Sequence, residues 1–204
     1  MILCFARHGE SEANISRTFS NRDLPHRLTA AGVEHAHQLA SLFAQHRVTR
    51  LCCSPVPRAV ETAAIIASDL GLGYEVTEGL REFDVGRYEG TSDNAGWEEY
   101  GAVVRAWLAG SHEQRVAGGE SLTEVVDRLA GFLTTLRETA RDNSVIGLIG
   151  HGGLYRVALP HVLTGVTPQF AFENTLGYGR LIVAETHGVD LVCVEWDGRT
   201  PEAA

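Results

Sequence analysis

The sequence of 204 residues contains no lysine, so its 17 fixed basic side chains are all arginines. The guanidinium of arginine is a planar fork of donors that fits carboxylate and phosphate oxygens, which the point charge of lysine does not. A biased composition, rich also in alanine and glycine, explains this for the chain as a whole. It does not explain Arg7, which precedes a histidine at the end of an apolar run, or Arg58, which follows another such run.

Positive charge is scarce as well, because 26 acidic side chains leave a formal net charge of −9 at pH 7. This balance argues against a nucleic-acid-binding protein that relies on a basic surface. A small anionic substrate is compatible with it, since a binding site needs positive charge only locally. The length and a hydrophobic content of 44% suit one domain, residues 1–204, with a sizeable core.

Cysteine is infrequent, and none of the four cysteines belongs to a CxxC pair. This pattern excludes a disulfide framework and a cysteine zinc site. Each cysteine lies in an apolar run of strand character, so we expect small buried side chains at Cys4, Cys52, Cys53 and Cys193. A reducing, cytoplasmic location is the expectation that follows.

Long apolar runs are missing too, so we expect no segment to cross a membrane. The opening run, residues 1–5, is too short for a signal peptide and leads directly into polar residues. We therefore expect neither a secretory leader nor a membrane partner.

Strand-like and helix-like patterns alternate along the chain. The patterns predict strands over 1–6, 50–54, 74–77, 144–150, 179–185 and 191–196, and helices over 30–45, about 55–70, from 122 onward and over 152–163. Thr29 and the capping box of Ser121 and Glu124 mark two helix starts. The alternation predicts a three-layer α/β/α fold with a mostly parallel central sheet, a short cap insertion with short helices at about 84–118, and a flexible tail at about 197–204.

Three predicted strands end in polar residues. The first ends at Arg7 and His8, the second leads to Arg58, and the fourth ends at His151. Parallel strands place their carboxyl ends at one edge of a sheet, where ligands bind in such folds. Two arginines and two histidines that meet there predict an oxyanion site, with a phosphoryl group as its natural occupant and His151 as an imidazolium.

A phosphoryl site of this composition can carry out covalent chemistry. A neutral imidazole nitrogen of His8 is a competent nucleophile toward phosphorus. The leaving alkoxide then needs a proton from a carboxylic acid whose pKa is raised by burial or by nearby negative charge. The sequence leaves this acid open among Glu10, Glu12, Glu82 and Glu89.

Three motifs in this order resemble a known family. The chain has RHGE at the end of the first strand, SPxxRAxxTA over 54–63 and GHGG over 150–153. In residues 2 to about 185 it resembles the histidine phosphatase superfamily of phosphoglycerate-mutase-like proteins. The resemblance implies a metal-independent phosphomonoester hydrolase that acts on a small phosphorylated metabolite and needs no cofactor.

The resemblance also assigns roles to residues. It implies that His8 becomes phosphohistidine and that Glu82 is the general acid that then activates water. It implies that the phosphoryl group is bound by Arg7, Arg58, His151 and Asn14. Substrate contacts are expected at Ser20 and Asn21, in the loop that borders the site, and at Gly152 in the GHGG motif.

Two alternatives remain open. Cofactor-dependent phosphoglycerate mutases usually carry an Arg-His-Tyr-Gly stretch just after the acid and paired arginines in a longer insertion. Residues 82–90 read EFDVGRYEG and no paired arginines follow, so the chain resembles the phosphatase subgroup instead. A non-catalytic module that binds a phosphorylated ligand is the second alternative, and it would need neither His8 nor Glu82.

Several surrounding side chains are ambiguous. The loop before Thr29 has two more residues than the family pattern, and its Arg17, Arg22 and Arg27 are interpreted as solvated rather than as substrate contacts. The aromatic residues of the cap insertion fit either a substrate pocket or the core of the cap: Trp97, Tyr100 and Trp107. The final two strands are candidates for an edge-to-edge homodimer.

Overall fold

One mixed sheet of six strands organises the fold. The computed structural model describes residues 1–141 and 143–201. The strands are β1 (Ile2–Arg7), β2 (Arg50–Cys53), β3 (Tyr74–Val76), β4 (Val145–Gly150), β5 (Leu181–His187) and β6 (Asp190–Trp196). The helices are α1 (Glu12–Ser16), α2 (Ala30–Gln45), α3 (Pro57–Leu70), α4 (Asn94–Leu108), α5 (Leu122–Thr139), α6 (Gly152–Val162) and α7 (Pro168–Glu173).

The sheet is mostly parallel, as predicted. Its strand order is β3-β2-β4-β1-β5-β6. β1, β2, β3 and β4 run parallel to one another, whereas β5 pairs antiparallel with β1 and β6 pairs antiparallel with β5. β5 and β6 lie at one end of the sheet. They can pair antiparallel because only a short turn connects them.

Both faces of the sheet are covered, which confirms the three layers. Successive side chains of a strand point to opposite faces. In β1, Leu3 and Phe5 pack with α4, α5 and α6 in one cluster, while Cys4 and Ala6 pack with α2 and α3 in another. All four cysteines are buried and free, in agreement with the sequence.

Local signals predicted two helix starts correctly. The Thr29 hydroxyl accepts a hydrogen bond from the Gly32 backbone N–H at 3.0 Å. At α5 the Ser121 hydroxyl accepts from Glu124 N–H and the Glu124 carboxylate accepts from Ser121 N–H, which completes the capping box. Such caps satisfy donors that have no partner within the helix.

Three helices differ from the prediction. α1 and α7 are short and were not predicted, and α4 is a 15-residue helix where only short helices were expected. α4 begins at an N-cap, since the Asp93 carboxylate accepts from Gly96 N–H at 2.7 Å. Its buried residues are few and lie mainly near its end.

The first residues after β6 contact the rest of the fold. Asp197 N–H donates to the Leu181 carbonyl at 2.9 Å, and Arg199 N–H donates to the Trp196 carbonyl at 3.1 Å. Pro201 is buried. The flexible tail at about 197–204 stays a prediction, and residues 202–204 lie outside the described residues.

β6 forms one edge of the sheet, where the homodimer was predicted. Part of this edge is covered, because Cys193 N–H donates to the Thr164 carbonyl and Thr164 N–H donates to the Leu191 carbonyl, both at 2.8 Å. A homodimer along this edge stays a prediction. Among the described residues, no helix has the length and hydropathy that a membrane span requires.

Candidate active site

The carboxyl ends of three parallel strands meet at one edge of the sheet. Arg7 of β1 pairs with Gly150 of β4, and β2 pairs with the other side of β4. A pocket of about 330 Å³ opens at this edge. His8, Arg58 and His151 contact one another directly. Arg7 lines the same pocket as His8 and Arg58, so the predicted convergence of the four side chains is confirmed.

The contacts of His8 define its tautomer. Its Nδ1 lies 2.7 Å from the Gly9 carbonyl, which can only accept, so Nδ1 carries the hydrogen. Arg58 Nε donates to His8 Nε2 at 2.8 Å, so Nε2 carries the lone pair. Burial lowers the pKa of His8 well below its ordinary value, and the charges of Arg58 and Arg7 lower it further. His8 is therefore a neutral imidazole with its nucleophilic nitrogen directed toward the arginine.

Arg58 is the central cation of the site. Besides its bond to His8, it donates from Nη1 to the Ser20 carbonyl and from Nη2 to His151 Nδ1, the latter at 3.2 Å. Its side chain is 5% exposed. Burial lowers the pKa of Arg58 to about 10, so the guanidinium keeps its charge at neutral pH.

His151 is neutral in this arrangement. Since Arg58 donates to Nδ1, the hydrogen of His151 is on Nε2, which lies 2.7 Å from the Ser54 hydroxyl. Burial lowers the pKa of His151 well below its ordinary value, and the charge of Arg58 lowers it further. The expectation of an imidazolium is therefore wrong here. His151 orients Arg58 and is not among the described residues that line the pocket.

Arg7 lines the pocket with part of its guanidinium unused. Its Nη2 donates to the Tyr178 hydroxyl at 3.0 Å, and the guanidinium carbon lies 4.1 Å from the centre of the Tyr178 ring. Its Nε is buried and has no hydrogen-bond partner among the described residues. An oxyanion in the pocket would satisfy this donor. No motif in the sequence pointed to Tyr178.

Glu82 is the only acidic side chain among the described residues that line the pocket. Its carboxyl group accepts from Phe83 N–H at 3.1 Å and from Gly153 N–H at 3.0 Å. Burial is the largest influence on its pKa and raises it above the ordinary value. A raised pKa keeps the group protonated closer to neutral pH, as a general acid requires.

Glycine at position 153 allows this contact. A Cβ atom there would lie 2.6 Å from Glu82 Oε2. The sequence placed Gly153 in a motif without a role, and only the structure connects it to Glu82.

The other candidate acids are engaged elsewhere. Glu10 accepts from the Thr29 hydroxyl and Glu12 accepts from Arg27 N–H. The Glu89 carboxylate accepts hydrogen bonds from the backbone N–H groups of residues 21 and 22, at 3.0 to 3.1 Å. Of the four candidates, the pocket contains Glu82 alone.

Asn14 presents donors to the pocket. Its Oδ1 accepts from the Ser11 N–H at 3.0 Å and from the Ser11 hydroxyl at 2.9 Å. The amide NH₂ is thereby left for another acceptor. This geometry is compatible with a hydrogen bond to a phosphoryl oxygen.

The three predicted substrate contacts line the pocket, yet two of them also support other groups. The Ser20 hydroxyl is bonded to His26 Nδ1 at 2.9 Å, and the Asn21 amide donates to the Phe83 carbonyl at 2.8 Å. Gly152 lies against Arg7, because a Cβ atom there would be 3.2 Å from Arg7 Cδ.

The loop arginines divide into two groups. Arg22 and Arg27 are exposed and form two-point ion pairs with Asp84 and Glu61, outside the pocket. Arg17 instead lines the pocket, with its guanidinium carbon 5.5 Å from the centre of the Trp97 ring. Arg17 is also exposed, in agreement with its interpretation as a solvated side chain, but it is the one of the three that borders the pocket.

The sequence missed a fourth pocket arginine, Arg156 on α6. It lies four residues after Gly152, so both share one helix face, and that spacing was the available signal. The open question of the cap aromatics is also answered. Trp97 and Tyr100 line the pocket, whereas Trp107 is buried in the core.

Metal ligands do not cluster in the described parts of the chain. Within 1–141 and 143–201, no group of three or more histidine, cysteine, aspartate or glutamate side chains could hold a metal ion. Arginines, one histidine and one carboxyl group are among the described residues that line the pocket.

Comparison with known proteins places this geometry in context. Residues 3–198 match the family model described as the histidine phosphatase superfamily (branch 1). The chain is 33% identical to "Putative phosphoserine phosphatase 2" of Hydrogenobacter thermophilus, over 80% of this chain and 79% of the relative. It is 31% identical to "Probable phosphoglycerate mutase GpmB" of Salmonella choleraesuis, over 72% of this chain and 67% of the relative.

Solved structures share the fold. The mycobacterial glucosyl-3-phosphoglycerate phosphatase in complex with VO3 superposes with a TM-score of 0.82 at 20% identity, covering 97% of this chain and 99% of that one. The alpha-ribazole phosphatase of Shigella flexneri superposes with a TM-score of 0.77 at 22% identity, covering 100% of both chains.

Proposed function

The chain belongs to the histidine phosphatase superfamily, and from that membership we propose that it hydrolyses phosphomonoesters of small metabolites through a phosphorylated His8. The observation that carries the proposal is the fixed tautomer of His8, which leaves the Nε2 lone pair at a pocket lined by arginines. Glu82, with its raised pKa, supplies the proton that a leaving alkoxide needs.

In the first half of the reaction, phosphoryl oxygens accept donors from Arg7, Arg58 and Asn14. Arg58 Nε turns from His8 to a phosphoryl oxygen, which frees the lone pair of Nε2. Nε2 then attacks phosphorus, the bond from phosphorus to the ester oxygen breaks, and the Glu82 proton moves to that oxygen. The products are an alcohol, phosphohistidine and the Glu82 carboxylate.

In the second half, the Glu82 carboxylate takes a proton from water while the water oxygen attacks phosphorus. The bond from phosphorus to His8 Nε2 breaks and inorganic phosphate leaves. Glu82 is protonated again and His8 is neutral, so the site returns to its starting state. The neutral tautomer matters in this step because His8 leaves without needing a further proton.

The test is hydrolysis of 4-nitrophenyl phosphate with a chelator present, in the wild type, His8→Ala and the exposed control His187→Ala. We expect turnover in the wild type and the control, unchanged by the chelator, and none in His8→Ala. Turnover that survives in His8→Ala would contradict the phosphohistidine route. Phosphate binding without turnover in the wild type would support the binding-module alternative instead.

A phosphoglycerate mutase is the second candidate, because a relative bears that name. The segment after Glu82 supports the phosphatase. Asp84 is paired with Arg22, and Arg87 is exposed and paired with Glu99, so neither contributes to the pocket. Incubation with 3-phosphoglycerate and a bisphosphoglycerate primer distinguishes the two, since a phosphatase releases inorganic phosphate and a mutase forms 2-phosphoglycerate.

We also propose that the chain acts in the cytoplasm as one domain, with the segment 84–118 as its cap. The free, buried thiols support a reducing location. The cap assignment is supported by α4, which carries Trp97 and Tyr100 to the pocket.

A further inference from the structure

The pocket carries more positive charge than one phosphoryl group needs. Within the described parts of the chain, four arginines line it: Arg7, Arg17, Arg58 and Arg156. Arg7 and Arg58 stand next to His8. Glu82 is the single acidic side chain among the described residues of the lining, and it tends toward its neutral form because burial raises its pKa. In a chain of net charge −9, this local excess indicates a substrate with a second negative group.

Arg156 has no acidic partner within the described residues. Its Nη2 lies 3.4 Å from the Tyr100 hydroxyl, and its guanidinium carbon lies 5.3 Å from the centre of the Phe172 ring. Its Nε is buried and also lacks a hydrogen-bond partner in the described structure. A buried donor of this kind is costly to leave unsatisfied, so an acceptor is expected nearby.

Tyr100 adds a second donor at the same place. A guanidinium can only donate, so the hydroxyl oxygen accepts from Arg156 and its own hydrogen remains available. Burial raises the pKa of Tyr100 to about 12, which keeps that hydrogen in place at neutral pH. The ring is held by stacking on Phe83, with centres 5.4 Å apart and planes 7° apart, and by edge contact with Trp97.

These donors lie close to the reacting group. Gly153 N–H bonds to the Glu82 carboxyl, and Arg156 follows three residues later on the same helix. Three residues of α-helix advance about 4.5 Å, less than one turn. A substrate whose ester oxygen contacts Glu82 therefore needs only a short carbon skeleton to reach Arg156.

We propose that Arg156 and Tyr100 form a subsite that binds a carboxylate of the substrate, so that the preferred substrates are short phosphorylated carboxylic acids. This inference rests on the proposed function, since it concerns the leaving group of that reaction. The planar fork of one arginine and one hydroxyl donor fits the two oxygens of a carboxylate. One guanidinium also balances its single charge, whereas a second phosphate would bring about two.

A matched pair of substrates tests the subsite. Glycerol 3-phosphate and 3-phosphoglycerate have the same carbon count and phosphate position and differ by a hydroxymethyl group against a carboxylate. We expect the wild type to favour 3-phosphoglycerate in kcat/KM. Arg156→Gln should lower kcat/KM for 3-phosphoglycerate by about 10- to 100-fold, the value of a charged hydrogen bond, and leave glycerol 3-phosphate within about twofold.

Two further variants sharpen the result. Tyr100→Phe should reduce the same preference more mildly, because it removes one neutral donor. Arg105→Gln removes an exposed charge from α4 outside this pocket and should leave the preference unchanged. Vanadate inhibition of glycerol 3-phosphate hydrolysis should be equal in all variants, which reports an intact phosphoryl site.

Equal loss for both substrates in Arg156→Gln, or no loss for either, would overturn the carboxylate subsite. Hydrolysis of 4-nitrophenyl phosphate by the same preparations separates this from failure of the proposed function. If the wild type hydrolyses the aryl phosphate while Arg156→Gln has no selective effect, only the subsite is wrong. If the wild type hydrolyses none of the three esters, the phosphatase assignment itself fails.

Discussion

At the scale of single residues, Gly153 links helix α6 to the acid of the site. Gly153→Ala would place a Cβ atom 2.6 Å from Glu82 Oε2, so the carboxyl group must move. We expect kcat for an alkyl phosphate to fall about 10- to 100-fold, as for other small misplacements of a catalytic group. The measurement is steady-state kinetics.

The control for this change is Gly131→Ala on α5. A Cβ atom at Gly131 meets no atom within 4 Å, so activity should be unchanged. Full activity in Gly153→Ala would show that the position of Glu82 does not limit the reaction.

The dependence of activity on pH follows from the same carboxyl group. Burial raises the pKa of Glu82, so its acid form, and with it the proton for the leaving group, is lost as pH rises through that value. His8 behaves oppositely, because its lowered pKa keeps it neutral and nucleophilic below its ordinary value of 6.5.

We therefore predict that the ratio of wild-type to Glu82→Gln activity on an alkyl phosphate falls as pH rises above the pKa of Glu82. The ratio cancels the ionisation of the substrate, which is common to both enzymes. At its maximum the ratio should be about 10²- to 10⁴-fold, the usual size of general acid catalysis. A ratio that is constant across the pH range would remove Glu82 from proton transfer.

Residue identities were predictable where a motif marked them, and their protonation states were not. The strand ends gave the positions of His8 and His151, because parallel strands end at one edge of a sheet. Their tautomers depend on Gly9, Ser54 and Arg58, which meet them only after folding. The sequence therefore predicted an imidazolium at His151 that its donors do not allow.

At the scale of elements, α5 holds the loop that carries Glu82. Arg128 Nη1 donates to the carbonyls of Glu78, Gly79 and Arg81, at 3.0 to 3.2 Å. The rest of its guanidinium is paired with Glu120, whose carboxylate also accepts from the backbone N–H of residue 84. Arg128 therefore fixes the backbone on both sides of position 82.

We predict that Arg128→Gln lowers kcat for an alkyl phosphate by about 10-fold or more, with a smaller effect on KM. An aryl phosphate, whose leaving group needs little protonation, should be affected much less. This contrast in kinetics is the readout, since general loss of structure would slow both substrates equally.

Arg137→Gln is the matched control. Arg137 lies on the same helix and also donates to backbone carbonyls, those of Gly188 and Val189, away from the pocket. Its activity on both esters should be unchanged. An equal decline of both esters in Arg128→Gln would reduce its role to stability.

Helices could be predicted where an N-cap residue or a clear hydrophobic periodicity marked them. The helix starts after Thr29 and Ser121 depend on hydrogen bonds between residues three apart, which a sequence shows directly. α4 packs mainly through its last turns and through aromatic contacts with Phe19 and Phe83. Those contacts come from distant parts of the chain.

At the scale of the whole molecule, the buried site couples stability to pH. His8 and His151 are neutral in the fold because burial lowers their pKa values, so below pH 6.5 only the unfolded chain binds their protons. Glu82 acts in the opposite sense, since its raised pKa lets the fold keep a proton that the unfolded chain loses above its ordinary value of 4.5. Two histidines outweigh one carboxyl group.

We predict that the free energy of unfolding falls as pH decreases from about 6.5 to about 5.5, by about 1.4 kcal/mol per pH unit for each proton that the unfolded chain binds in excess of the fold. Urea unfolding in phosphate-free buffer measures it. His151→Gln should show a flatter dependence, because one of the two histidine contributions is gone. Stability that rises as the pH falls would contradict the neutral state of the two histidines.

The overall architecture could be predicted from the sequence, whereas the residues of the pocket could be predicted only in part. Alternating strands and helices indicated the layers, and the order of the motifs indicated which strand ends meet. Arg156 and Tyr178 belong to no such motif, and their approach to the pocket depends on packing across the whole fold. The arginines that line the pocket are far apart in the sequence, and only folding brings their positive charges together.

The most direct test of the central claim is to trap the phosphorylated enzyme. Glu82→Gln is mixed with 4-nitrophenyl phosphate, quenched in alkali and analysed by peptide mass spectrometry. The aryl leaving group needs no proton from Glu82, while hydrolysis of the intermediate needs its carboxylate, so the intermediate should accumulate. The account predicts one phosphoryl group on His8, absent when His8 is also replaced by alanine. No phosphorylated peptide, or a phosphoryl group on another residue, would contradict it.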